Sequence, residues 1–152
     1  MPRKRSAKKV GVKPKAKRLL GAKPKGSLRA DVAPANFRAV FERLKKVMSE
    51  FEPELRATAD ESRKYYVVTK SKSWKGGPMF FGAVVAGKAY VSYHLFPLYA
   101  CPEMVRMVSS NLKERMQGKS CFNFRTLDEA LFAELSGLTK AGVEKYRAKN
   151  WL

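Results

Sequence analysis

His94, the only histidine of the 152-residue chain, and the two cysteines Cys101 and Cys121 are the side chains best suited to act as base, nucleophile or soft metal ligand near neutral pH. An imidazole within hydrogen-bond reach of a thiol can take its proton and leave a thiolate nucleophile. Seven residues separate His94 from Cys101 and twenty more lead to Cys121, so the spacing leaves both pairings open. Both cysteines, however, stand among aromatic and aliphatic residues, where a thiol stays protonated and inert. A tetrahedral zinc site needs four ligands, and one histidine with two cysteines in no C-x-x-C pair cannot supply them. No serine lies in a G-x-S-x-G elbow, and no glycine-rich loop is spaced to cradle phosphate. The reading is a protein that is not an enzyme, with no catalytic residues, no metal ligands and no cofactor. A small enzyme using His94 is the last of the alternatives.

The same residues fit a binding surface better. In a strand over Ala89–Phe96 the side chains alternate, so Val91, Tyr93 and Leu95 face one way and Tyr90, Ser92, His94 and Phe96 the other. A second strand over residues 119–125 puts Ser120, Phe122 and Phe124 on its core side and Lys119, Cys121, Asn123 and Arg125 opposite. The resulting candidate surface consists of Tyr90, Ser92, His94, Asn123 and Arg125, with Arg115 and Lys119 at its rim. Its cations favour an anionic ligand, because guanidinium matches carboxylate and phosphate geometry.

Those strands need a scaffold. Phe37, Val40, Phe41, Leu44, Val47, Met48 and Phe51 follow offsets of 0, 3, 4, 7, 10, 11 and 14, which is one face of a helix. Asn36 or Asp31 is positioned to cap it, and Pro53 prevents its continuation. Strands are expected at Leu55–Ala59, Tyr65–Thr69, Met79–Ala86 and Ala89–Phe96, the last two joined through Gly87-Lys88 as a hairpin. One or two short helices follow from Pro102 to Met116, closed by Gly118, and then the fifth strand. Thr126 and Glu129 form a capping-box pattern for a last helix lined by Leu127, Leu131, Phe132, Leu135 and Leu138. Local connections imply an α+β fold: a mainly antiparallel five-stranded sheet with helices packed on one face. Trp74, in the loop at residues 71–78, can either stack on a ligand or fold back on the core, and Trp151 is expected to fold back.

Charge divides the chain. Of the 32 Lys and Arg, twelve lie in residues 1–30 with no acid among them; the other twenty face thirteen acids, a balance of +7. Residues 1–32 therefore read as a disordered Lys/Arg/Pro-rich tail, and residues 33–152 as one folded domain. Arg3, Lys4, Arg5, Lys8, Lys9, Lys13, Lys15, Lys17, Arg18, Lys23 and Lys25 are its candidate phosphate contacts. Extended lysines of this kind bind nucleic acid without reading bases, by releasing counterions. The longest apolar run, Met79–Gly87, is about half the length of a membrane-spanning helix, so no membrane partner is expected. No secretory leader pattern follows the basic start, which points to a reducing cytoplasm, with nucleoid association if the tail binds DNA.

The segments GGPMFFGAVVAGKAYVSYHLFPLY, LKERMQGKSCFNF and LDEALFAELSGLTKAGVEKY resemble the YdhG-like domains, small bacterial domains of largely unknown function. The resemblance spans about residues 36–147 and implies a compact α+β domain with an antiparallel sheet backed by helices. Some members are described as frataxin-like iron carriers, which implies an acidic iron-binding surface. Here the acids Glu42, Glu50, Glu52, Glu54, Asp60 and Glu61 are scattered through a basic domain, so iron carriage is the alternative. The leading expectation is a non-enzymatic module that binds a small anionic ligand or a protein partner.

Overall fold

The 3–4 spacing of apolar residues from Phe37 onward becomes α1 (Ala35–Ser49) in the computed structural model, which describes residues 35–71 and 75–152. The basic tail, Asp31, the domain boundary at residue 33 and Trp74 lie outside the described residues. Phe37, Val40, Phe41, Leu44, Val47 and Met48 are all buried along one face of the helix. Asn36 is the second residue of α1 and not its cap.

Six strands follow: β1 (Leu55–Glu61), β2 (Lys64–Thr69), β3 (Phe80–Ala86), β4 (Val91–Leu95), β5 (Met116–Gln117) and β6 (Cys121–Phe124). They form one fully antiparallel sheet in the order β1-β2-β3-β4-β6-β5. The fold is α+β as expected, with one strand more than the five read from the sequence. The extra strand is β5, at the end of the stretch expected to be helical. Between β4 and β5 come α2 (Pro97–Ala100), a 3-10 helix (Pro102–Met107) and α3 (Ser110–Lys113), capped by Ser109 accepting the Leu112 amide at 3.1 Å. Gly118 does not close α3; it sits at φ +74 in the turn from β5 to β6. A tight reversal needs a residue that tolerates the left-handed region, and glycine is the one with no Cβ to resist it.

α4 (Glu129–Ala148) starts later than the Thr126 pattern suggests. Asp128 is its cap, accepting the Leu131 amide at 3.2 Å, so Leu127 lies outside the helix and is 52 % exposed. A carboxylate satisfies the first-turn amides as well as a threonine hydroxyl does, and starting at Asp128 still buries Leu131, Phe132, Leu135 and Leu138. α4 touches α1 and α2, and α1 lies on β3 and β4. Trp151 folds back as expected, with its ring edge-on to Tyr146 at 5.2 Å.

The helix side of the sheet carries Tyr65, Val67, Val84, Tyr93, Leu95, Phe122 and Phe124, all buried. Inside this core Thr139 donates to the Leu135 carbonyl at 2.7 Å, so its lone pair is left to accept the Tyr93 hydroxyl at 2.7 Å. Burial raises the Tyr93 pKa well above the ordinary phenol range, which keeps that donor protonated. One irregularity shapes the sheet. Val67 pairs with Gly82 and Val68 with Phe80, which leaves Phe81 as the extra residue of a β-bulge. Phe81 packs edge-on against Tyr146 of α4 at 5.3 Å, while Gly82 lies against Met48 of α1.

Candidate functional site

The face of the sheet turned away from the helices holds the polar residues. β4 and β6 lie side by side with Ser92 opposite Asn123 and His94 opposite Cys121, and β5 adds Gln117 opposite Cys121. Directly opposed residues of an antiparallel pair share a face, so the register alone brings these five together. Ser92 Oγ donates to Asn123 Oδ1 at 2.8 Å, and Asn123 Nδ2 donates to Gln117 Oε1 at 2.7 Å. The Tyr90 hydroxyl reaches the same Gln117 oxygen at 3.5 Å. This chain fixes the rotamers of four polar side chains before any ligand arrives.

His94 and Cys121 form a contact pair, with Sγ 2.8 Å from Nδ1. Of the two pairings open in the sequence, the fold selects this one; Cys101 is fully buried in the core. Burial raises the Cys121 pKa, against a smaller opposing effect of its hydrogen bond with Ser120, and burial lowers the His94 pKa. Both shifts favour the neutral forms, in which the contact is a hydrogen bond between a thiol and an uncharged imidazole. A thiolate–imidazolium nucleophile requires the opposite shifts. Alkylation of Cys121 by iodoacetamide, mapped by peptide mass, should therefore follow a pH midpoint above the ordinary thiol value of about 8.5. A midpoint near neutrality would restore the catalytic reading.

Four of the expected site residues, Tyr90, Arg115, Asn123 and Arg125, line a single depression of about 400 Å³ together with Glu114 and Gln117. Arg115 is tied to the network through its backbone, whose carbonyl accepts the Asn123 amide at 2.9 Å. Ser92 adjoins the depression through Asn123, and His94 occupies the neighbouring pair with Cys121. Lys119 is the exception. Its ammonium lies 5.7 Å above the ring of Tyr99, and it lines a different cleft. Glu114 was missed because it lies in the stretch read as helix, and Gln117 because β5 has only two residues and shows no alternation.

A row of aromatic rings also crosses this face: Tyr66 to Phe80 at 6.2 Å, Phe80 to Phe96 at 5.8 Å and Phe96 to Tyr99 at 5.5 Å. Tyr66 and Phe80 come from β2 and β3, Phe96 follows β4 and Tyr99 lies in α2, so sheet register and the turn into α2 together place them in line.

The acids near α1 do not converge. Glu54 pairs with Arg147, Asp60 with Lys45, and Glu52 accepts the Tyr65 hydroxyl. Among the described residues no group of three or more His, Cys, Asp or Glu is placed to hold a metal ion. The oxygen-rich set a ferrous or ferric ion needs does not fit these partners. No helix among the described residues is long and apolar enough to cross a membrane. No protein-family model, no curated protein and no solved structure matches the chain.

Proposed function

We propose that the folded part of the chain is a non-enzymatic binding module that takes a small anionic ligand on the open face of its sheet. The observation that carries this reading is the convergence of Arg115 and Arg125 on one depression with Tyr90 and Asn123. Guanidinium groups recognise carboxylate and phosphate oxygens in pairs, and the neighbouring amides and hydroxyls are already held in one arrangement. Glu114 on the same wall opposes very large negative charge, so the ligand is a compact anion carrying no more than about three charges. The neutral His94 and Cys121 pair supports binding without chemistry.

Isothermal titration with inorganic pyrophosphate and with malonate tests the reading. Arg115→Ala should weaken binding by about tenfold or more, the effect of removing one charge-assisted hydrogen bond of about 1.5–3 kcal/mol, whereas Arg115→Lys keeps part of the affinity. Heat signals that are the same for all three proteins, or absent from all three, would remove the site.

A second reading belongs to residues 1–30, whose twelve cations meet no acid: association with nucleic acid through phosphate contacts, in the cytoplasm or on the nucleoid. Kinship with the YdhG-like domains is part of the proposal. It rests on GKAYVSYHLFP and MQGKSCFNF, the segments that contain β4 and the hairpin of β5 and β6. Iron carriage, the frataxin-like alternative, draws no support from the paired acids.

A further inference from the structure

Beside the arginine depression, and sharing Met116 of β5 with it, lies a larger cleft of about 830 Å³. Its walls come from α2, the 3-10 helix and β5: Leu98, Tyr99, Pro102, Val105 and Met116. The volume lies within the range of small-molecule sites, roughly 300–1,000 Å³, and the lining is mainly apolar, as such sites are. Tyr99 is 56 % exposed, which is unusual for a residue of its size beside so much apolar surface.

Two cations complete the cleft. Lys113 stands at the end of α3 and Lys119 in the turn from β5 to β6, and both line the cleft with exposed side chains. Neither is part of a salt bridge among the described residues. Among the described residues no Asp or Glu lines the cleft; nearby Glu103 is paired with Lys145 at 3.4 Å. The local balance is an apolar body with uncompensated positive charge at its mouth.

We infer that this cleft is a second binding site, for an amphipathic carboxylate whose aryl or medium-length acyl body lies against Leu98, Val105 and Met116 while its anionic end meets Lys113 and Lys119. The ring of Tyr99 covers one flank of the body, and the Lys119 ammonium above that ring is already beside the place the anion takes. A compact polar dianion leaves the apolar wall unused, and a neutral hydrocarbon leaves both ammonium groups without a counter-charge. The two adjoining sites thus separate small anions by whether they carry an apolar body.

The test uses the full chain and decanoate, below its aggregation concentration, with decanol as the neutral comparison. Titration calorimetry should show decanoate binding at least tenfold more tightly than decanol. Lys113→Gln combined with Lys119→Gln should abolish that preference while decanol binding stays unchanged; both lysines are exposed, so the fold is not at stake. Val105→Asp should weaken both ligands. Arg115→Ala should leave decanoate affinity unchanged, which separates this site from the pyrophosphate site and lets either fail alone. No decanoate binding, equal affinity for the two probes, or a loss on Arg115→Ala in place of the lysine substitutions would overturn the inference.

Discussion

Deleting residues 1–30 should lower affinity for duplex DNA by about a hundredfold or more at 50 mM salt and flatten its salt dependence. The deleted stretch removes twelve positive charges and no negative ones, and leaves the remainder at +7. If about six of its lysines and arginines engage phosphates, the logarithm of affinity for the full chain falls against log salt with a slope near −5, so raising salt from 50 to 200 mM costs about a thousandfold. Affinity should not depend on sequence, because phosphate contacts carry no base information. The core among the described residues runs from Phe37 to Tyr146 and is retained whole in the shortened chain. Circular dichroism of the shortened chain checks that point independently. A slope that is unchanged by the deletion would assign the binding to the folded part and refute the tail's role.

Gly82→Ala should be the most damaging small substitution in the sheet, at about 2–3 kcal/mol of stability, in the range of overpacked cores. A Cβ at this position would lie 2.7 Å from the Met48 Cε and 2.7 Å from the His94 carbonyl oxygen. The methionine end can swing aside. The carbonyl cannot, because it belongs to the backbone of β4, which is hydrogen-bonded to β3 on one side and β6 on the other. Denaturant unfolding therefore separates the two obstacles: Met48→Leu should not rescue Gly82→Ala. Rescue would mean that the methionine alone sets the limit and that β4 is free to move. The substitution also acts at a distance, since a displaced His94 backbone shifts the pair with Cys121 and the Ser92–Asn123 bond beside it. Pyrophosphate affinity should fall along with stability.

Much of this architecture was legible in the residues. The face of α1 followed from seven apolar positions, and the outward direction of Ser92, His94 and Asn123 followed from strand alternation, as did the burial of Tyr93, Phe122 and Phe124. Both periodicities are properties of the local backbone, so they survive in a sequence read without its tertiary context. β5 escaped because two residues are too few to show an alternation, and Lys119 was grouped with Asn123 and Arg125 because the alternation was carried back to residue 119, whereas β6 begins at Cys121. In the structure Lys119 belongs to the hairpin turn at Gly118, and its side chain lines a different cleft. The start of α4 was misread by two residues because Thr126 and Asp128 are both good caps, and only packing against the sheet decides between them.

Composition and local pattern by themselves determined the separation of a +12 segment from the rest, the α+β class, and which side of each principal strand is apolar. Only the tertiary structure decided that His94 meets Cys121 and not Cys101, that burial shifts both groups toward their neutral forms, and that Arg115 and Arg125 share one depression. The reason is physical. Charge and amphipathic period are summed along the chain, whereas pairings between strands, and the burial that sets an ionisation state, depend on registers between residues tens of positions apart. His94 and Cys121 are separated by 27 positions, and nothing in the intervening segment specifies which residue of β6 stands opposite which residue of β4 until the helices have closed over the other face.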